Sequence, residues 1–138
     1  MKTVVGLVVL LCAASACGGG DSSSSSVLTT PTPLVTESFN GTVAVGGTDF
    51  HAFAVSSGGA VNVTLTAAGP PPTIYMGIGV GTPSASTCAL LTSGSIVAPA
   101  GLSAQLSGTL AAGSYCVSVF DVGNQTAPVT YAVAVTHY

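Results

Sequence analysis

The sequence predicts an all-β domain, an antiparallel β-sandwich of about eight strands with jelly-roll-like character, on three observations. Short runs rich in Val and Thr alternate apolar and polar residues, the period of a half-buried strand. Turn-forming clusters of Gly, Pro, Ser and Asn interrupt these runs at short, even spacing, as in sandwiches and barrels. Helix signals are nearly absent.

The strands follow in chain order. Thr36–Val45 is bounded by Pro33 and by Gly46-Gly47. Asp49–Ser56 sets Phe53 and Val55 on one face and ends at Ser57-Gly58-Gly59. Ala60–Ala67 turns Val61, Val63 and Leu65 inward and leaves Asn62, Thr64 and Thr66 to water, because successive side chains of a strand point to opposite faces. Gly69-Pro70-Pro71-Pro72 closes it. Ile74–Val80 places Ile74, Met76, Ile78 and Val80 inward, and Ala89–Ala98 follows. Leu102–Leu110 is ambiguous, since Leu102, Leu106 and Leu110 fit a helical face as well as a strand face, but Gly101, Gly108 and Gly113 disfavour a helix. Ser114–Val122 turns Tyr115, Val117 and Val119 inward, and Val129–His137 does the same with Tyr131, Val133 and Val135.

These strands occupy residues 34–138; what precedes them reads as an address and a tether. Met1 and Lys2 give a positive start, Val4–Ala14 is an apolar stretch too short to span a bilayer, and Ala14-Ser15-Ala16 lead to Cys17. This resembles the lipobox of bacterial lipoproteins, in which the cysteine is lipidated and begins the mature chain. Ala14-Ser15-Ala16 also fits an ordinary secretion cleavage site. Cysteine parity separates the two readings: with Cys12 lost in a signal peptide of residues 1–16 and Cys17 acylated, Cys88 and Cys116 remain as an even pair. A membrane attachment through acyl chains follows from the first reading. Residues 17–33, rich in Gly, Ser, Thr and Pro, cannot bury enough apolar surface to fold and form the tether. It reaches at most about 60 Å extended. Gly18, where the enterobacterial pattern uses Asp for inner-membrane retention, implies the outer membrane.

Charge excludes whole classes of partner. The only Lys or Arg is Lys2, within the signal segment, against the acids Asp21, Glu37, Asp49 and Asp121. A mature chain without a cation cannot neutralise nucleic-acid phosphates or anionic lipid headgroups.

Phe39–Val55, Gly58–Ala68, Leu106–Val119 and Thr130–Val135 together resemble the bacterial pre-peptidase C-terminal domain. The likeness rests on Asp49 opening a strand with Phe50 and Phe53, on Ala112–Val119 as an A-G-[TS]-Y-x-V-x-V strand, and on the closing Tyr131-x-Val133-x-Val135. It implies a secreted jelly-roll-like sandwich of the kind appended to proteases, some of which bind polysaccharide, collagen or calcium. This chain has no protease domain, carries His51 where the family has an aromatic residue, and lacks a rich acidic cluster.

Five groups of residues are candidates for chemistry. Asp49 and His51, two apart on a strand, share a face and can pair. Without a G-x-S-x-G elbow they make no hydrolase, so His51 is expected to replace a core aromatic at the sandwich edge and Asp49 to fix the Gly46-Gly47 turn. His51 and His137 lack paired metal-ligand spacing, and Asp121, Asn124 and Gln125 supply only part of a calcium shell, so no cofactor and no metal is expected. Tyr75 alternates with Gly77 and Gly79, which predicts an aromatic ring on a bare glycine surface, either a ring that shields the sheet beside a curvature-inducing glycine strand or, the candidate site, a contact for a glycan or protein ligand. Cys88 and Cys116 are expected to form a disulfide in an oxidising compartment, with Cys116 on the outer face beside Ser114 and Ser118. Three sequons, at Asn40, Asn62 and Asn124, are incidental in a bacterial protein. The function expected is that of a non-catalytic accessory or adhesive binding module at the envelope; the alternatives are a purely structural lipoprotein and a hydrolase using His51.

Overall fold

A computed structural model describes residues 30–138; Cys17 and the residues expected to form a signal segment and tether, up to residue 29, lie outside the described residues. Eight strands form: β1 (Val35–Val43), β2 (Thr48–Val55), β3 (Gly59–Gly69), β4 (Tyr75–Ser84), β5 (Thr87–Pro99), β6 (Leu106–Leu110), β7 (Gly113–Phe120) and β8 (Val129–His137). They make two four-stranded sheets in the orders β1-β8-β3-β6 and β2-β7-β4-β5, every pair antiparallel. Consecutive strands thus pass between the sheets at most steps, the arrangement of a jelly roll.

The inward residues expected from alternation fill the core. Val63, Leu65, Met76, Ile78, Val117, Val119, Val133 and Val135 are almost wholly buried, joined by Val43 and Val129. Each contributes about 1.5–3 kcal/mol of transfer free energy on complete burial. The β3 strand carries a bulge between Leu65 and Ala67, which lets Ala68 rejoin the core while Thr66 bonds outward to the Ala132 carbonyl.

The ambiguous segment resolves as a short strand. Only Leu106–Leu110 pairs with β3, and Leu102 is 99% exposed. The cause is Gln105: its Oε1 accepts the Leu65 N–H at 2.8 Å and its Nε2 donates to the Leu65 carbonyl at 3.3 Å. The side-chain amide supplies what a paired strand would have supplied at that position, and the chain before it leaves the sheet.

Candidate functional site

Four places among the described residues bring polar or aromatic side chains together: the side of the sandwich between β1 and β2, the loop of Asp121, and the outer face of each sheet.

Where β1 meets β2, residues that alternation turns inward carry polar tips. Tyr131, on β8, donates to Asp49 Oδ2 at 2.7 Å, and its oxygen lies 2.8 Å from His51 Nε2. Asp49 and His51 do share a face, yet their closest approach is 3.9 Å, because the tyrosine hydroxyl sits between them. His51 stacks on Phe39 with centroids 4.9 Å apart and planes at 8°, so it packs as the edge aromatic expected of it. Burial foremost, then the hydrogen bond to Asp49 and the charge of Asp49, raise the Tyr131 phenol above its ordinary value. Further along the same side, His137 is 3% exposed. Its Nε2 is 2.9 Å from Glu37 Oε1 and its Nδ1 is 3.1 Å from the Tyr138 main-chain oxygen, while Phe53 tilts against its ring.

Asp49 does not hold the Gly46-Gly47 turn. Its carboxylate is committed to Tyr131 and to the Phe50 N–H, and the turn is held by a residue 75 positions away: Gly46 donates to Asp121 Oδ2 at 2.7 Å. Asp121 Oδ1 accepts the N–H groups of Gly123, Asn124 and Gln125 at 2.8–3.3 Å. The Gly46 N–H first, with those of Gly123, Gln125 and Asn124, holds its carboxyl below the ordinary aspartate value. The Asn124 amide donates to the Tyr75 carbonyl at 3.0 Å. Gln125 is buried, and its amide nitrogen, in the orientation that satisfies both ends, donates to the Val43 and Ala44 carbonyls. Both Asp121 oxygens, which would lead any calcium shell here, are thus engaged with main-chain N–H groups. Among the described residues no three His, Cys, Asp or Glu side chains converge.

The glycine strand differs from expectation. Tyr75 is 52% exposed, but Gly77, Gly79 and Gly81 are buried. A Cβ at Gly77 would strike the Phe120 ring, and one at Gly79 would meet Leu90. A Cβ at Gly81 would run into the Ala89 main chain and the Cys88 sulfur. The reason is the register: β4 lies between β7 and β5, and groups from those two neighbours lie across the outer face and occupy the space above its glycines. The bare platform is therefore not formed; what surfaces beside Tyr75 is Phe120, half-buried, and Val97, 51% exposed. Sequence reading missed these two because their place depends on pairing of Gly77 with both Phe120 and Val97, which no local pattern encodes.

The disulfide between Cys88 and Cys116 is present, with Cα atoms 5.9 Å apart. By register Cys116 faces outward, opposite Gly81, yet it is fully buried. The β4–β5 hairpin folds over that face beyond a break in pairing between Gly79 and Gly81. The bridge passes over Gly81, where only a glycine leaves room.

On the outer face of the other sheet, Asn40, Thr42, Gly69, Pro70, Thr130 and Ala132 line a shallow trough of about 820 Å³. It carries hydroxyl and amide groups and no charge. No protein-family model matches the chain, and no curated protein matches it.

Proposed function

We propose that this chain is a non-catalytic, membrane-tethered β-sandwich that binds a neutral glycan or protein surface at the bacterial envelope, held there by an acylated Cys17. One observation carries the reading. Each carboxylate of the described domain is engaged within the molecule, Glu37 with His137, Asp49 with Tyr131 and Asp121 with four main-chain N–H groups. The domain also has no Lys or Arg. Recognition by such a surface falls to stacking and to neutral hydrogen bonds, and Tyr75 with Val97 and Phe120 offers the exposed ring and apolar flank for it. The likeness to the pre-peptidase C-terminal domain belongs to the same reading: Asp49, Phe53, Tyr115 and Tyr131, which carry it, are packing residues here, so the likeness speaks to the fold and the ligand class must come from the face.

Two variants separate the halves of the proposal. Cys17→Ser is expected to leave the membrane fraction yet retain binding on glycan and protein arrays. Tyr75→Ala is expected to stay with the membrane, melt near the parent temperature and lose array binding. A parent with no saturable ligand on either array, or a Cys17→Ser protein as firmly membrane-bound as the parent, would overturn the corresponding half.

A further inference from the structure

The side of the sandwich opposite the histidines, between β6 and β5, is left open by construction. Residues of β6 that pair with inward residues of β3 face inward with them: Leu106 with Val63, Gly108 with Val61. The inward row of β6 therefore runs Leu106, Gly108, Leu110, and its middle member has no side chain. A Cβ built at Gly108 meets nothing within 4 Å. On the other sheet, β5 is drawn away at the same level: pairing with β4 passes from Gly79–Ser95 to Gly81–Leu90, so Leu91–Gly94 loop out, with Ser93 at φ 59°.

The result is a cavity of about 160 Å³. Val61, Val80, Leu91, Leu106 and Leu110 line it, with the exposed Thr92 and Ser93 at its mouth. An apolar cavity of about 150 Å³ takes a benzene molecule, and ligand pockets combine apolar walls with a few polar groups that fix orientation. None of Glu37, Asp49 and Asp121 lines the cavity, so its electrostatic complement is an uncharged molecule.

We propose that this cleft is a binding site for a small neutral molecule built on a single ring with one hydroxyl group, the ring occupying the place of the missing side chain at Gly108 and the hydroxyl meeting Thr92 and Ser93. The site is separate from the Tyr75 face, and it stands or falls independently of the function proposed above.

The test is titration of the full chain with p-cresol, followed through the side-chain methyl signals by NMR, with benzoate as the charged comparison. Saturable shifts are expected at Val61, Val80, Leu91, Leu106 and Leu110, with no saturation by benzoate. Gly108→Leu, which fills the cavity from within, is expected to keep the dispersed spectrum of the fold and lose the saturable shifts. If that variant does not fold, Gly108→Val places a smaller branched group in the same space and is expected to show the same loss. Absence of saturation in the parent, saturation persisting in a folded cavity-filled variant, equal binding of benzoate, or shifts centred on Val97 at the outer face would each overturn the proposal.

Discussion

Along the side where β1 faces β2, Phe39, His51, Phe53, Tyr131 and His137 fill the gap between the sheets, and the polar tips of Tyr131 and His137 tie to Asp49 and Glu37, with His51 bonded to the Tyr131 hydroxyl. Along the side where β6 faces β5, an unfilled position at Gly108 and a looped-out segment leave a cleft with leucine walls. Both sides meet the same problem, since the ends of two twisted sheets diverge and expose core. Large side chains that are apolar in the body and polar at the tip close one side, because the tip can end in hydrogen bonds close to water. Purely aliphatic side chains on the other side have nothing to bond to and reach less far. The contrast shows that closing a sandwich is a matter of what a few edge residues carry, since both sides share one core.

The open side is where a covalent tie matters most. Cys88 sits on β5, the strand that the loop draws away, and Cys116 on β7. Replacing both by Ala is expected to lower stability by about 3.5 kcal/mol on the chain-entropy scale for a loop of this size, the largest effect among these variants. Urea unfolding measures it. A loss under about 1 kcal/mol would mean that β5 is held by its pairing with β4 and that the bridge adds little.

Much of this was readable before the structure. The eight strands and their inward residues follow from alternation, because the period of two is fixed by the strand backbone and needs no partner. The disulfide followed from parity, and His51 as an edge aromatic from the resemblance, which puts an aromatic residue at that position. The rest required register. Nothing within Tyr75–Gly81 says that β7 and β5 flank it, so three glycines read as an open surface when they make room for Phe120, Leu90 and the disulfide. Likewise the Gly46 turn is held by Asp121, while the nearer Asp49 is taken by a tyrosine from the opposite sheet. Long-range side-chain bonds of this kind leave no local trace.

The closed side can be broken with a single methyl group. Gly41 lies opposite Tyr131, and a Cβ there would collide with the Asp49 carboxylate and the Tyr131 hydroxyl. Gly41→Ala is expected to cost about 2 kcal/mol, through overpacking and through loss of hydrogen bonds whose partners stay half-buried. Thermal unfolding checks the size, and the Tyr131 hydroxyl provides an independent signature. Displaced from Asp49, its phenol should titrate closer to the ordinary value of 10.0. A variant as stable as the parent would show that this contact network gives way freely and does not fasten the two sheets.

The same substitution on the open side should act in the other direction. At Gly108 the added methyl group meets no atom within 4 Å, and Gly108 is absent from the glycines with positive φ among the described residues, so an L side chain carries no backbone penalty there. Alanine also loses less conformational freedom on folding than glycine, which favours it within a strand by about 0.5–1 kcal/mol. Its methyl group projects into the open cleft without touching the walls, so the gain comes from the backbone alone. Gly108→Ala is therefore expected to raise the midpoint of urea unfolding with no change in slope, the smallest of these effects and the only stabilising one. If Gly41→Ala and Gly108→Ala shift stability in the same direction, the two sides do not differ in the way their geometry implies. Opposite signs, from one chemical change made at two glycines of one fold, would locate the difference in the space each glycine faces.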